Sequence, residues 1–181
     1  MSTETETGFG IGGTIGWTIG GAVSGAIAAT AFGVVMWLLD PEILTGAIPA
    51  IYGFDPSSVL GMTIHILHGV VLGLVFGFLV TRSIVLGVVR TNVEDEPVSE
   101  FGLTMRVVAA GFVFGLAVWA ILPVVVMPVL VAAIGEPAAE NFPSIAVESM
   151  LGHMVFGLVL GLVFAVTVDL YERSARGVLE E

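Results

Sequence analysis

Cysteine is absent from the 181 residues, and so is lysine. Without thiols there are no disulfides, thiolate metal sites, iron–sulfur clusters or cysteine nucleophiles. Charge is scarce altogether, at 12% of residues against 56% hydrophobic, and the mean hydropathy is +1.05. A soluble domain of this size needs far more charge to cover its surface, so lipid is the expected solvent for much of the chain. At ~20 apolar residues per crossing, the length accommodates four crossings and short loops, with no room for a separate soluble catalytic domain. The motifs of a P-loop, an H-E-x-x-H zinc site and an EF-hand are missing, and no nucleophile–base–acid set is legible. A non-enzymatic protein is the expectation. All five basic residues are arginine, against sixteen acids and a net charge of −11. That balance excludes a basic patch for nucleic acid and a polybasic stretch for anionic lipid.

What is present is four long apolar runs. The first extends from about Phe9 to Leu39 and stops at Asp40-Pro41; the second follows Asp55-Pro56-Ser57-Ser58 and reaches about Val80. The third opens near Thr104 and runs at least to Leu122, and the fourth follows Pro143-Ser144 and ends around Val168. The fold class expected is all-α: one polytopic membrane domain over 1–181, a four-transmembrane-helix bundle. Arg82, Arg90 and Arg106 flank the middle connection, Arg173 and Arg176 lie in the tail, and the other two connections have no basic residue. The positive-inside rule therefore places the loop at about 81–103, the tail at about 169–181 and both termini in the cytoplasm of a plasma-membrane protein. The acidic start Met-Ser-Thr-Glu-Thr-Glu lacks the positive region of a cleaved signal peptide, so the first run is expected to stay in the mature protein. The outer connections, Ile43 to Phe54 and Val124 to Ile134, are apolar, too short to span and carry proline. They read equally well as interfacial helices over the mouth of the bundle or, for the second, as a kinked continuation past Pro123.

The chain also resembles itself. A shift of 88 lays Met62, His65, Gly69 and Gly73 on Met150, His153, Gly157 and Gly161, and matches Leu72 through Phe76 with Leu160 through Phe164. A shift of 82 pairs Ala28, Phe32, Gly33, Trp37 and Pro41 with Ala110, Phe114, Gly115, Trp119 and Pro123. Two tandem helical hairpins are implied, repeat 1 over about 9–80 and repeat 2 over about 104–168. Both start on the same side, so a pseudo-two-fold axis along the membrane normal should relate them as parallel repeats.

Gly8, Gly10 and Gly13 spell G-x-G-x-x-G, but only polar residues precede them and the dinucleotide fingerprint needs a strand there. The glycines make better sense as helix-packing positions. Gly12, Gly16, Gly20, Ser24 and Ala28 form one row and Gly21, Gly25, Ala29 and Gly33 another. Small residues at that spacing let backbones approach in lipid. The first helix has enough of them to contact a second copy or a membrane-protein partner as well.

All three histidines, His65, His68 and His153, fall inside the second and fourth runs, and Met62 and Met150 precede His65 and His153 by three residues. Each Met-x-x-His pair shares a helix face. Met62, His65, Met150 and His153 together would suit copper, especially Cu(I). Alternatively, His65 and His153 would be axial ligands of a haem b, with Gly69 and Gly157 leaving room for the ring and His68 handling protons. Equally, the histidines and methionines are ordinary packing groups. Glu148 and Asp169 read as interfacial residues at the ends of the fourth run.

With its lysine-free acidic loops, glycine-rich spans and Met-x-x-His hairpins, the chain resembles the small four-helix membrane proteins of haloarchaea. The resemblance covers the whole length, implies a halophilic source, and carries no activity with it. Three functions follow from the residues: a non-enzymatic membrane subunit or scaffold, a haem- or copper-bearing accessory of electron transfer, and a transporter or channel. The last lacks a polar path, since beyond histidine the spans offer only serine and threonine.

Overall fold

The computed structural model describes residues 13–82, 100–126, 129 and 142–168. Arg90, Arg173, Arg176, Asp169, the tail, and most of the middle loop and second outer connection lie outside the described residues, as does the side chain of Glu148. Among the described residues five α-helices follow one another: α1 Gly13–Leu39, α2 Ile48–Ile51, α3 Ser58–Val80, α4 Glu100–Ile121 and α5 Phe142–Thr167. Four of them are long and apolar enough to cross a membrane, with mean hydropathies of 2.0 to 2.4 over the spans. No strand is present among the described residues.

The helix ends sit where local chemistry puts them. Asp40 accepts a hydrogen bond from the Glu42 amide at 3.1 Å, so the aspartate that ends α1 also opens the connector, with Pro41 in the first turn. Ser57, in extended conformation, caps α3 by accepting from the Leu60 amide. The first outer connection is helical, with a π-helical turn at Ile43–Ala47 running into α2. It closes through Gly53, whose φ of 73° suits glycine. Beyond α4 a second π-helical turn, Leu122–Val126, carries the helix through Pro123, so the third span continues past its proline.

The two glycine rows of α1 have separate partners. Gly21 and Gly25 face α3, where a Cβ built at Gly21 would come 2.7 Å from the Gly73 carbonyl oxygen. Gly20 faces α5, against Val168 and Thr167. The other side of α1 exposes Ile15, Ile19, Val23, Ile27, Val34 and Leu38, bulky residues suited to lipid. Gly20, Gly21 and Gly25 of α1 are thus taken up inside the chain.

Within each hairpin the close approaches correspond. Gly25 meets Gly73, Ala29 meets Gly69, and Gly33 lies against Met62 and His65. The pairs Val107–Gly161, Gly111–Gly157 and Gly115–His153 occupy the positions reached by shifts of 82 and 88. Between hairpins the contact is one-sided: α1 packs broadly on α5, whereas α3 and α4 barely touch. At the centre Phe76, Phe164 and Leu160 are fully buried, and Phe114 packs onto the cluster.

Candidate functional site: two histidines about one phenylalanine

The site lies toward the α2 end of the bundle, where α1, α3 and α5 converge. Phe32, on the buried face of α1, holds its ring 5.0 Å from His65 of α3 and 4.7 Å from His153 of α5. Both contacts are edge-on, at 83° and 64°. The ring rests on Gly152, where any side chain would collide with it. His65 and His153 therefore come together, but through a phenyl ring.

The two imidazoles are satisfied differently. His153 is buried, and its Nδ1–H donates to the Ser149 carbonyl one turn back, at 2.8 Å. A carbonyl only accepts, so that bond fixes a proton on Nδ1. His65 is the odd one. Its Nε2 is buried with no hydrogen-bond partner among the described residues, and the Ala29 backbone of α1 lies beside the ring. Beside it lies Met62: a Cβ built at Gly33 would stand 2.8 Å from the methionine sulfur and 3.5 Å from His65 Cδ2. Met62 and His65 thus flank one glycine, as their spacing implied. Met150 is half-buried one turn from His153 on α5.

For a haem, the volume matters. Gly69 and Gly157, the glycines expected to leave room for the ring, are covered by backbone of their own hairpins, Gly25 for the first and Gly111 and Gly115 for the second. Any ligand bridging His65 and His153 competes with Phe32 for its place. No group of three or more His, Cys, Asp or Glu side chains is arranged to hold a metal among the described residues.

His68 does not join this cluster. It faces outward and shares a hydrogen bond with Tyr52 at the end of α2. Neither Phe32 nor Tyr52 was a site residue on sequence grounds. Phe32 carried one signal, its repetition with Gly33 at Phe114-Gly115; Tyr52 carried none, because the contact depends on how the connector folds back on α3.

Four hydroxyls of the described spans bond within their own helices. Ser24, Thr30, Thr63 and Thr167 each donate to the carbonyl four residues earlier in their own helix.

At the other end of α3, Arg82 stacks on Phe78 at 3.8 Å, and Trp17 packs on the same ring. No protein-family model matches this chain, and neither the curated proteins nor the solved structures contain a match to it.

Proposed function

We propose that this chain is a non-enzymatic integral membrane protein, a subunit or scaffold, whose His65 and His153 are packing groups at a helix junction. The observation that carries the reading is Phe32, which fills the volume between the two symmetric imidazoles while His153 spends its proton on its own helix. Inward-bonded hydroxyls argue against a transporter, since a conducting path needs polar groups turned toward it. The matched contacts of the two hairpins support their origin as tandem copies. Arginines confined to one side favour cytoplasmic termini, and sixteen acids with no lysine suit a halophilic cell.

A second reading rests on one atom. His65 Nε2, buried with no hydrogen-bond partner among the described residues, lies with the Met62 thioether against Gly33, an N,S set that suits a soft metal such as Cu(I). An absorption spectrum of detergent-purified protein in high salt, oxidised and reduced, with metal analysis, tests both. A featureless, metal-free protein is expected; a Soret band or stoichiometric copper overturns the packing role.

A further inference from the structure

The hairpins meet along two seams, α1 with α5 and α3 with α4, and the seams use counterpart faces to different effect. On α5, Gly152 meets Phe32 of α1 and Val168 meets Gly20, so the row from Gly152 through Phe156, Leu160 and Phe164 to Val168 has α1 at both ends. Every member of that row is buried. The shift of 88 turns it into Ile64, His68, Leu72, Phe76 and Val80 of α3. There Phe76 and Val80 are buried, Ile64 and Leu72 are half-buried, and His68 is exposed. On α4, Ala110 and Phe114 are half-buried, whereas their α1 counterparts Ala28 and Phe32 are buried. The α3–α4 seam is thus closed at its Phe76 end and parted at its Ile64 end.

Side-chain volume identifies what parts it. Arg106 replaces the buried Ser24, but toward the end where Phe76 and Val80 stay covered. His68 is smaller than the Phe156 it replaces. Ile64, by contrast, puts a branched side chain where Gly152 has none. The Phe32 ring rests on Gly152 so closely that a Cβ there would collide with it. Phe114 has no such seat. Its ring lies instead 5.4 Å from Phe76, which is eleven residues past His65, or ~16 Å along the helix.

With the hairpins read as tandem copies, we propose that Ile64 is a wedge. It denies Phe114 the seat that Gly152 gives Phe32. In doing so it decides which phenylalanine fills the space between His65 and His153, and which of the two seams stays parted.

The chain has no cysteine, so pairs of engineered cysteines carry spin labels at chosen positions alone. Labels at Leu67 and Val113 report on the α3–α4 seam and labels at Ile27 and Leu158 on the α1–α5 seam; all four positions are exposed. Dipolar distances are recorded on detergent-purified protein with metal analysis alongside, so that a ligand on His65, which concerns the packing role and not the wedge, is seen separately. Ile64→Gly is expected to shorten the Leu67–Val113 distance by about 2 Å, the range that side chains impose on helix separation, and to leave Ile27–Leu158 unchanged. Ile64→Ala frees volume but keeps a Cβ, so it should shorten neither. Gly152→Ala should lengthen Ile27–Leu158 by a similar amount. Equal closing by Ile64→Ala and Ile64→Gly overturns the wedge in favour of plain volume. Opening by Gly152→Ala without closing by Ile64→Gly overturns it through the pairing of the copies. Should Ile64→Gly fail to fold, Gly152→Ala decides alone: an unchanged Ile27–Leu158 distance overturns the seat on which the wedge depends.

Discussion

Phe76 and Phe164 meet edge to face at the centre of the bundle, their ring centroids 5.4 Å apart and their planes at 81°. The two are 88 positions apart, the shift at which the sequences of α3 and α5 match. Phe114 also stands 5.4 Å from Phe76, tilted by 54°. Replacing either Phe76 or Phe164 by alanine is expected to cost about 3 kcal/mol or more, as for large-to-small changes in packed cores. A titration with denaturing detergent reads that as a lowered midpoint. The double variant should fall short of the sum by about 1 kcal/mol, the worth of the ring pair itself.

Gly111→Ala should be far more damaging than Gly46→Ala. A Cβ at Gly111 would lie 2.7 Å from Gly161 Cα, so backbone must move, whereas nothing lies within 4 Å of one at Gly46. Overpacking at Gly111 is expected to cost about 1–3 kcal/mol. At Gly46 the change should stay within about 0.5 kcal/mol. Thermal unfolding of the two variants side by side measures the difference.

His65→Leu separates the two readings of the Phe32 site. If Nε2 is an unsatisfied packing atom, its removal relieves a desolvation cost of about 1–3 kcal/mol and leaves the protein as stable as before or more so. If His65 holds a ligand, the same change lowers stability and removes the ligand. Unfolding midpoints of His65→Leu and wild type, recorded with metal content, decide between them.

Ser57→Ala should loosen the start of α3. Its hydroxyl caps the Leu60 amide and its own amide bonds the Thr45 carbonyl, so only the first of these bonds is lost. A cost of about 1 kcal/mol is expected, with faster hydrogen exchange at the Leu60 amide as the local sign.

The spans were legible because apolar runs stop at charged and turn-forming residues. Leu39 before Asp40-Pro41 falls where the sequence places it, and α3 begins at Ser58, the last residue of the Asp55-Pro56-Ser57-Ser58 run rather than just after it. α4 begins at Glu100, a turn before Thr104, because the charged start of the helix adds nothing to an apolar pattern. α5 takes in Pro143, which the first turn of a helix tolerates. The glycine rows marked α1 as a packing helix but not which row faces which neighbour, since small residues fit any close partner. The Met-x-x-His periodicity placed Met62 and His65 together. It did not reveal Phe32 at the crossing or Tyr52 on His68, because both contacts join elements whose relative placement no local pattern encodes.

The one-sided seam between α1 and α5 has a consequence for biogenesis. Each hairpin closes on neighbours in sequence, as soon as its second helix enters the bilayer, but the hairpins dock through the two long helices farthest apart along the chain. The small faces of α1 that turn toward α5 therefore wait, facing lipid or an insertion chaperone, until the ribosome has delivered α5. A chain stalled before that point would hold one closed hairpin and an unclaimed glycine row, the form of this protein most prone to mispairing with another copy.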